Sequence, residues 1–173
     1  MDFIFIFNGK RQAEILKGSG LEKGVCATAC LAFSINELNG FNLSMNEAKY
    51  RQYYAETTRF MGRHRAYHYA VEAGKIKGYE IIRHSDEVEV ESGWATRFWN
   101  ELMLLKPGIH IIIIRLRTGD CHAVALSKRK EGWVFFDPAK GMYKCGDTPR
   151  DAIEYMMENY SLDFLLVFKI KRK

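Results

Sequence analysis

The chain has 173 residues, the size of a single domain that can bury a hydrophobic core without metal or disulfide staples. Hydrophobic residues make up 47% of it and charged residues 27%, which excludes an intrinsically disordered protein. The formal net charge is +5, but the basic residues are spread along the chain, so a nucleic-acid partner is not indicated. This charge leaves room for a weak attraction to anionic membrane surfaces.

A short strand is predicted over residues 3–7, within the apolar run DFIFIF. This run and IHIIIIRL at 109–116 are both too short to be a signal peptide or a membrane-spanning helix. We therefore expect no Sec-type signal and no membrane segment. Without a secretory signal, free thiols are expected for all four cysteines, which are Cys26, Cys30, Cys121 and Cys145.

Three helices are predicted in the first two thirds of the chain. The apolar residues of 25–38 follow a helical spacing. Ser44 precedes Glu47 by three residues, a capping-box pattern that begins a second helix running toward residue 73. A third, amphipathic helix is predicted over residues 93–105.

After Pro107 the pattern changes to short β-rich runs separated by turns. Four strands are predicted, over residues 109–116, 122–129, 133–137 and 162–171. One more helix, over 149–159, lies between the last two strands. Helices followed by antiparallel strands predict an α+β fold, and the absence of a linker predicts a single domain over residues 1–173.

Cys26 is the better nucleophile of the two cysteines in the stretch GVCATACLAF. The glycine-rich loop before it is unsuited to a helix, so Cys26 is expected in the first helical turn. Unpaired backbone N–H groups there favour a thiolate and can stabilise an oxyanion. Cys30 lies one turn deeper and is expected to pack in the core.

A histidine and an acidic residue are placed to complete a catalytic site. His122 begins one predicted strand and Asp137 ends the next. In an antiparallel hairpin these are neighbouring strand ends, and Pro138 should stop the second strand and leave Asp137 exposed. The pattern predicts a Cys26–His122–Asp137 triad that uses no cofactor.

These motifs, Gly-Val-Cys, His-Ala-Val-Ala and Phe-Phe-Asp-Pro-Ala-Lys-Gly, resemble those of papain-like cysteine peptidases, and most of all the YopT-type family of bacterial effectors. The resemblance implies that Cys26 is the nucleophile, His122 the general base and acid, and Asp137 the residue that orients the imidazole. It also implies a papain-like fold, in which a helical N-terminal half carries the nucleophile and packs on a C-terminal antiparallel sheet. The peptidase domains of bacteriocin exporters, which cut after double-glycine leaders, are similar as well. They have Cys-Gly at the nucleophile, where this chain has Cys26-Ala27.

The side-chain donor of the oxyanion hole is not assigned by the motifs. Papain-like enzymes place a Gln or Asn five or six residues before the cysteine, where this chain has Leu21 and Gly20. Three polar side chains earlier in the chain are candidates for this donor: Ser19, Gln12 and Asn8. A hole built from backbone N–H groups alone is the other alternative.

Metal-binding alternatives fit the sequence less well. Cys121, Cys145, Cys26 and His122 contain no Cys-x-x-Cys pair, so their spacing does not match a structural zinc site. His64 and His68 share a helix face, but no Glu lies between them as in His-Glu-x-x-His.

The resemblance implies a cysteine peptidase that acts on a protein or peptide, as a bacterial effector or toxin delivered into a target cell. A cytoplasmic enzyme is the alternative location. Acyl transfer to an amine, as in transglutaminase-like enzymes, and leader-peptide cleavage would use the same residues. A non-catalytic peptide-binding module is the alternative from another functional class.

Overall fold

The computed structural model describes residues 2–6, 26–38, 78–84 and 88–173. Within these ranges the chain forms helices and strands in an α+β arrangement. The helices are α1 (Cys26–Leu38), α2 (Trp94–Met103) and α3 (Arg150–Asn159). The strands are β1 (Asp2–Ile6), β2 (Tyr79–Arg83), β3 (Val88–Glu89), β4 (Gly108–Leu116), β5 (Cys121–Arg129), β6 (Gly132–Asp137), β7 (Gly141–Gly146) and β8 (Leu162–Arg172).

All of these strands join one sheet in which neighbouring strands are antiparallel. The order across the sheet is β1-β7-β6-β5-β4-β8-β2, and the short β3 pairs with β8 beside this row. From β4 to β7, each strand pairs with the next strand along the chain, as expected for a series of hairpins. The predicted α+β class and antiparallel sheet are confirmed.

The central strand β4 explains why IHIIIIRL is apolar almost throughout. Successive side chains point to opposite faces of a sheet, and here both faces are covered. Ile109, Ile111 and Ile113 belong to the core beneath α1. Ile112 and Ile114 belong to the core beneath α2 and α3. A strand buried on both faces loses the apolar–polar alternation of a half-exposed strand.

Each core is closed by helix residues that the sequence pattern identified. On one face, α1 contributes Phe33, whose ring stacks on Phe136 of β6. On the other face, α2 buries Trp94, Phe98 and Leu102, the stripe of its amphipathic pattern. The sheet is thus held between helices, and the ends of β5 and β6 lie between the two helical layers.

Three strands of the sheet were not predicted, and the second predicted helix cannot be compared. β7 is only six residues long and has a glycine at each end, so its sequence carries little strand signal. β2 and the two-residue β3 lie in a stretch for which no strand was predicted. Residues 44–73, where the second helix is predicted, lie outside the described residues.

In the part of the chain that the structure describes, none of the helices is both long and apolar enough to cross a membrane.

Candidate active site

Cys26 is the first residue of α1, where it is half buried and packs against the core beneath that helix. The first four N–H groups of a helix have no acceptor within the helix. Cys26 therefore belongs to the turn whose N–H groups can hydrogen-bond an anion. The prediction of a helix that begins beside this cysteine is confirmed.

His122 and Asp137 are brought together by the β5–β6 hairpin. Ala125 of β5 pairs with Phe136 of β6, and only two residues join the strands at the far end. This register places the start of β5 beside the end of β6. Nε2 of His122 lies 3.0 Å from Oδ1 of Asp137, a hydrogen bond between the two side chains. The prediction that these two strand ends are neighbours is confirmed.

The Asp-Pro-Ala-Lys-Gly stretch ends β6 and fixes its last side chain. The backbone N–H of Ala139 donates to Oδ1 of Asp137 over 2.9 Å, a turn in which the carboxylate binds the amide two residues on. The N–H of Lys140 donates to the Asp137 carbonyl over 3.0 Å. These bonds hold the Asp137 carboxylate toward His122.

Asp137 is buried, with 0% of its surface exposed, although the sequence predicted an exposed residue at the strand end. That prediction was wrong because two tyrosines from the α3 region cover the carboxylate. The hydroxyl of Tyr155 donates to Oδ2 over 2.8 Å, and the hydroxyl of Tyr160 donates to the same oxygen over 2.5 Å. With His122 and the Ala139 amide on Oδ1, both carboxylate oxygens are fully hydrogen-bonded.

The surroundings of His122 favour its charged form. Burial alone lowers the pKa of an imidazole, but hydrogen bonds with Asp137 and Cys26, and the negative charge of both groups, outweigh burial. Together they raise the pKa of His122 to about 9. An imidazole that binds its proton this tightly favours a thiolate–imidazolium pair over a neutral thiol beside a neutral imidazole.

Asp137 remains ionised despite its burial. Burial raises the pKa of a carboxyl group, but here hydrogen bonds and the charge of His122, with further bonds from Tyr160 and Ala139, lower it below its ordinary value. A buried carboxylate with four donors can act as a fixed negative charge that orients the imidazole.

Cys30 is the inert thiol of the pair. It is completely buried in the core beneath α1. Burial, and then the charges of Cys26 and Asp137, raise the pKa of Cys30 well above its ordinary value. Its predicted position in the core is confirmed.

The remaining candidates fall into two groups. Ser19, Gln12 and Asn8 lie outside the described residues. Cys121 is exposed and Cys145 is buried, and neither forms a disulfide. Within the described residues, no group of three or more His, Cys, Asp or Glu could hold a metal ion.

Tyr155 and Tyr160 are site residues that the sequence reasoning missed. Their sequence is typical of an ordinary amphipathic helix followed by a strand, and they come 18 and 23 residues after the aspartate. No motif marks them, because the end of α3 meets β6 only in the folded chain. The one available signal is that buried tyrosines seek a partner for the hydroxyl group.

Comparison with known proteins gives a structural match. Neither a family model nor a curated protein sequence matches the chain. The crystal structure of the Pseudomonas avirulence protein AvrPphB does match, with a TM-score of 0.57 and 15% sequence identity over 85% of this chain and 91% of that one. At this identity the likeness is one of fold. The resemblance found in the sequence is thus confirmed at the level of structure: the chain has the fold of AvrPphB, a papain-like cysteine protease effector of the YopT type.

Proposed function

We propose that this protein is a papain-like cysteine peptidase in which Cys26, His122 and Asp137 act together. The observation that carries the proposal is the 3.0 Å hydrogen bond between His122 Nε2 and Asp137 Oδ1, next to a cysteine at a helix start. Because Nε2 faces Asp137, Nδ1 is the ring nitrogen left to exchange a proton with the Cys26 thiol.

The reaction follows from this arrangement. The Cys26 thiolate, paired with the protonated imidazole of His122, attacks the carbonyl carbon of a peptide bond. The oxyanion is stabilised by N–H groups at the start of α1. As the C–N bond breaks, the imidazolium gives its proton to the leaving amine. A water molecule then loses a proton to His122 and hydrolyses the thioester, and the sulfur leaves as a thiolate, which restores the thiolate–imidazolium pair.

The substrate is proposed to be a protein in a target cell. The fold is similar to that of AvrPphB, an avirulence protein of Pseudomonas, so delivery of this chain as an effector is the location we propose. The alternatives that use the same residues, acyl transfer and leader cleavage, have no separate support among the described contacts.

Alkylation provides the test of the nucleophile. Purified protein is treated with iodoacetamide at mildly acidic pH, and the labelled cysteine is identified by peptide mass spectrometry. Cys121 is the matched control because it is exposed, whereas Cys26 is half buried. We expect Cys26 to be labelled first, and His122→Ala to slow labelling at Cys26 but not at Cys121. Labelling that follows exposure, with Cys121 first, would mean that Cys26 is not activated.

A second experiment tests hydrolysis. New protein N-termini in a eukaryotic cell lysate are compared after incubation with the wild-type protein or with Cys26→Ala. A peptidase should produce N-termini that the variant does not. Selective labelling of Cys26 without any new N-termini would favour acyl transfer to an amine instead.

A further inference from the structure

We propose that Tyr160 is a positioning residue that holds the His122–Asp137 pair in the geometry needed to exchange a proton with Cys26. This inference rests on the proposed function and adds a fourth side chain to its machinery. Among the described residues, Tyr160 is the one whose side chain hydrogen-bonds both His122 and Asp137.

The backbone fixes Tyr160 at the place where α3 meets the sheet. Tyr160 is the C-cap of α3, with an extended backbone at φ −132° and ψ 140°. Its N–H donates to the carbonyl of Met156 over 3.0 Å. Two residues later β8 begins at Leu162, a strand paired with the central β4. A side chain held between a helix end and a central strand has little freedom to move away.

The Tyr160 ring packs against the imidazole of His122. The ring centroids of Tyr160 and His122 are 4.8 Å apart, with an angle of 35° between the planes. A packed ring at this distance restricts rotation of the imidazole about its side-chain bonds, and it shields the Nε2–Oδ1 hydrogen bond from water.

The hydrogen-bond directions assign the proton on the imidazole. A tyrosine hydroxyl has a single hydrogen, and an ionised carboxylate can only accept, so that hydrogen points to Oδ2 of Asp137. The Tyr160 oxygen lies 3.0 Å from Nε2 of His122. It can therefore only accept there, and Nε2 must carry a hydrogen shared between Tyr160 and Asp137. The ring nitrogen that gains and loses a proton is then Nδ1, which is the nitrogen left to interact with the Cys26 thiol.

The hydroxyl group keeps its proton under all ordinary conditions. Burial, followed by the charge of Asp137, raises the pKa of Tyr160 above its ordinary value. The hydrogen-bond pattern therefore does not change over the pH range in which the imidazole titrates.

Tyr155 offers a matched control for this role. Tyr155 also donates to Oδ2 of Asp137, over 2.8 Å, but its ring packs against those of Phe135, Tyr143 and Tyr160. Tyr155→Phe and Tyr160→Phe each remove one donor from the same carboxylate oxygen. Tyr155 also hydrogen-bonds Tyr143, a bond that does not involve His122. The difference in the His122 titration between the two variants therefore reports the contact of Tyr160 with Nε2 of His122.

The test follows the titration of His122 by NMR, with ring nitrogens labelled with ¹⁵N in the full chain. We expect the pKa of His122 to be lower in Tyr160→Phe than in Tyr155→Phe by about half a unit to one unit, since only the former loses an acceptor for Nε2–H. Alkylation of Cys26 should also be slower in Tyr160→Phe, by about five- to tenfold relative to Tyr155→Phe. Equal pKa values of His122 in the two variants would overturn the proposal.

A measurement on the wild-type protein covers the case in which Tyr160→Phe does not fold. The hydroxyl hydrogen of Tyr160 should exchange slowly with water and show a nuclear Overhauser contact with the Nε2 hydrogen of His122. A hydroxyl that exchanges as fast as those of exposed tyrosines would contradict the role. The titration of His122 needs no peptidase activity. An unreactive Cys26 would therefore refute the proposed function, whereas an unchanged His122 titration beside a reactive Cys26 would refute only the role of Tyr160.

Discussion

The ring of Phe33 in α1 lies flat on the ring of Phe136 in β6, with centroids 4.7 Å apart and 6° between the planes. Both rings are fully buried. Phe33 belongs to the helix that begins with Cys26, and Phe136 is the residue before Asp137. This stacked pair therefore couples the helix of the proposed nucleophile to the strand of the orienting carboxylate.

Removal of this contact should loosen the site as well as the core. Phe33→Ala is expected to lower the free energy of unfolding by about 3–5 kcal/mol, measured by urea denaturation. The folded fraction should also show slower alkylation of Cys26. Phe98→Ala is the control, because Phe98 is equally buried but lies in the core beneath α2 and α3. Phe98→Ala should lower the free energy of unfolding by a similar amount and leave the rate of Cys26 labelling unchanged. Equal losses of labelling in the two folded variants would contradict this coupling.

The two cysteines of α1 should separate activity from stability. Cys26→Ala is expected to abolish peptidase activity and leave the fold intact, because a small side chain replaces a half-buried one. Cys30→Ser should lower the unfolding free energy by about 1–3 kcal/mol, since it buries a hydroxyl in an apolar site, and should keep most of the activity. Turnover of peptide substrate and urea denaturation measure the two effects. A folded but inactive Cys30→Ser protein would mean that the nucleophile has been assigned to the wrong thiol.

Asp137→Asn should reduce turnover while the protein still folds. An amide cannot accept hydrogen bonds at both ends, so at least one of the donors from His122, Tyr155 and Tyr160 loses its acceptor. The imidazole also loses the negative charge that stabilises its protonated form. We expect a reduction of about 100-fold or more in kcat. Asp147→Asn, the same change at an exposed position, should leave kcat as in the wild type.

Stability should fall at alkaline pH through His122. The pKa of His122 is raised to about 9 in the folded chain from an ordinary value of 6.5. The folded state therefore binds the proton more tightly than the unfolded state, and the resulting stability is present below pH 6.5 and lost as pH rises through about 9. The loss should be on the order of 1–3 kcal/mol in urea denaturation. His122→Gln should remove this pH dependence, whereas substitution of the exposed His84 by Gln should retain it.

His110 should produce the opposite dependence at acid pH. It is buried in β4, and its Nδ1 atom is without a hydrogen-bond partner in the part of the chain described. Burial, followed by the charges of His84, Lys169 and Lys128, lowers the pKa of His110 from 6.5 to about 4. The unfolded state then takes up a proton that the folded state refuses, so stability is lost as pH falls from 6.5 through about 4.

His110→Phe should make the protein less sensitive to acid, because it removes the group that must be charged on unfolding. The unfolding midpoint in urea, measured between neutral pH and pH 4, checks this expectation. His122→Gln serves as the comparison and should retain the acid sensitivity. If His110→Phe loses as much stability at acid pH as the wild type, the loss comes from protonation of carboxylates instead.

Local patterns in the sequence were sufficient for the elements that carry the site. A glycine before Cys26, an apolar helical spacing after it, and two apolar runs joined by a short turn specify α1, β5 and β6. The pairing of His122 with Asp137 followed from hairpin geometry, which depends on the turn and the strand lengths alone. By contrast β7, with glycines at both ends and few residues, had no periodic signal and was missed.

Tertiary structure decided the environment of the site. Asp137 was expected to be exposed because it ends a strand before a proline, yet Tyr155 and Tyr160 bury it completely. Those tyrosines come from the end of α3, and nothing in their local sequence specifies which strand end that helix will cover. The sequence determined which side chains were candidates for the reaction, since that depends on residue type and on neighbours along the chain. The packing of α3 against the sheet decided how the carboxylate is solvated and held, because burial and hydrogen bonding depend on contacts between residues that are distant in sequence.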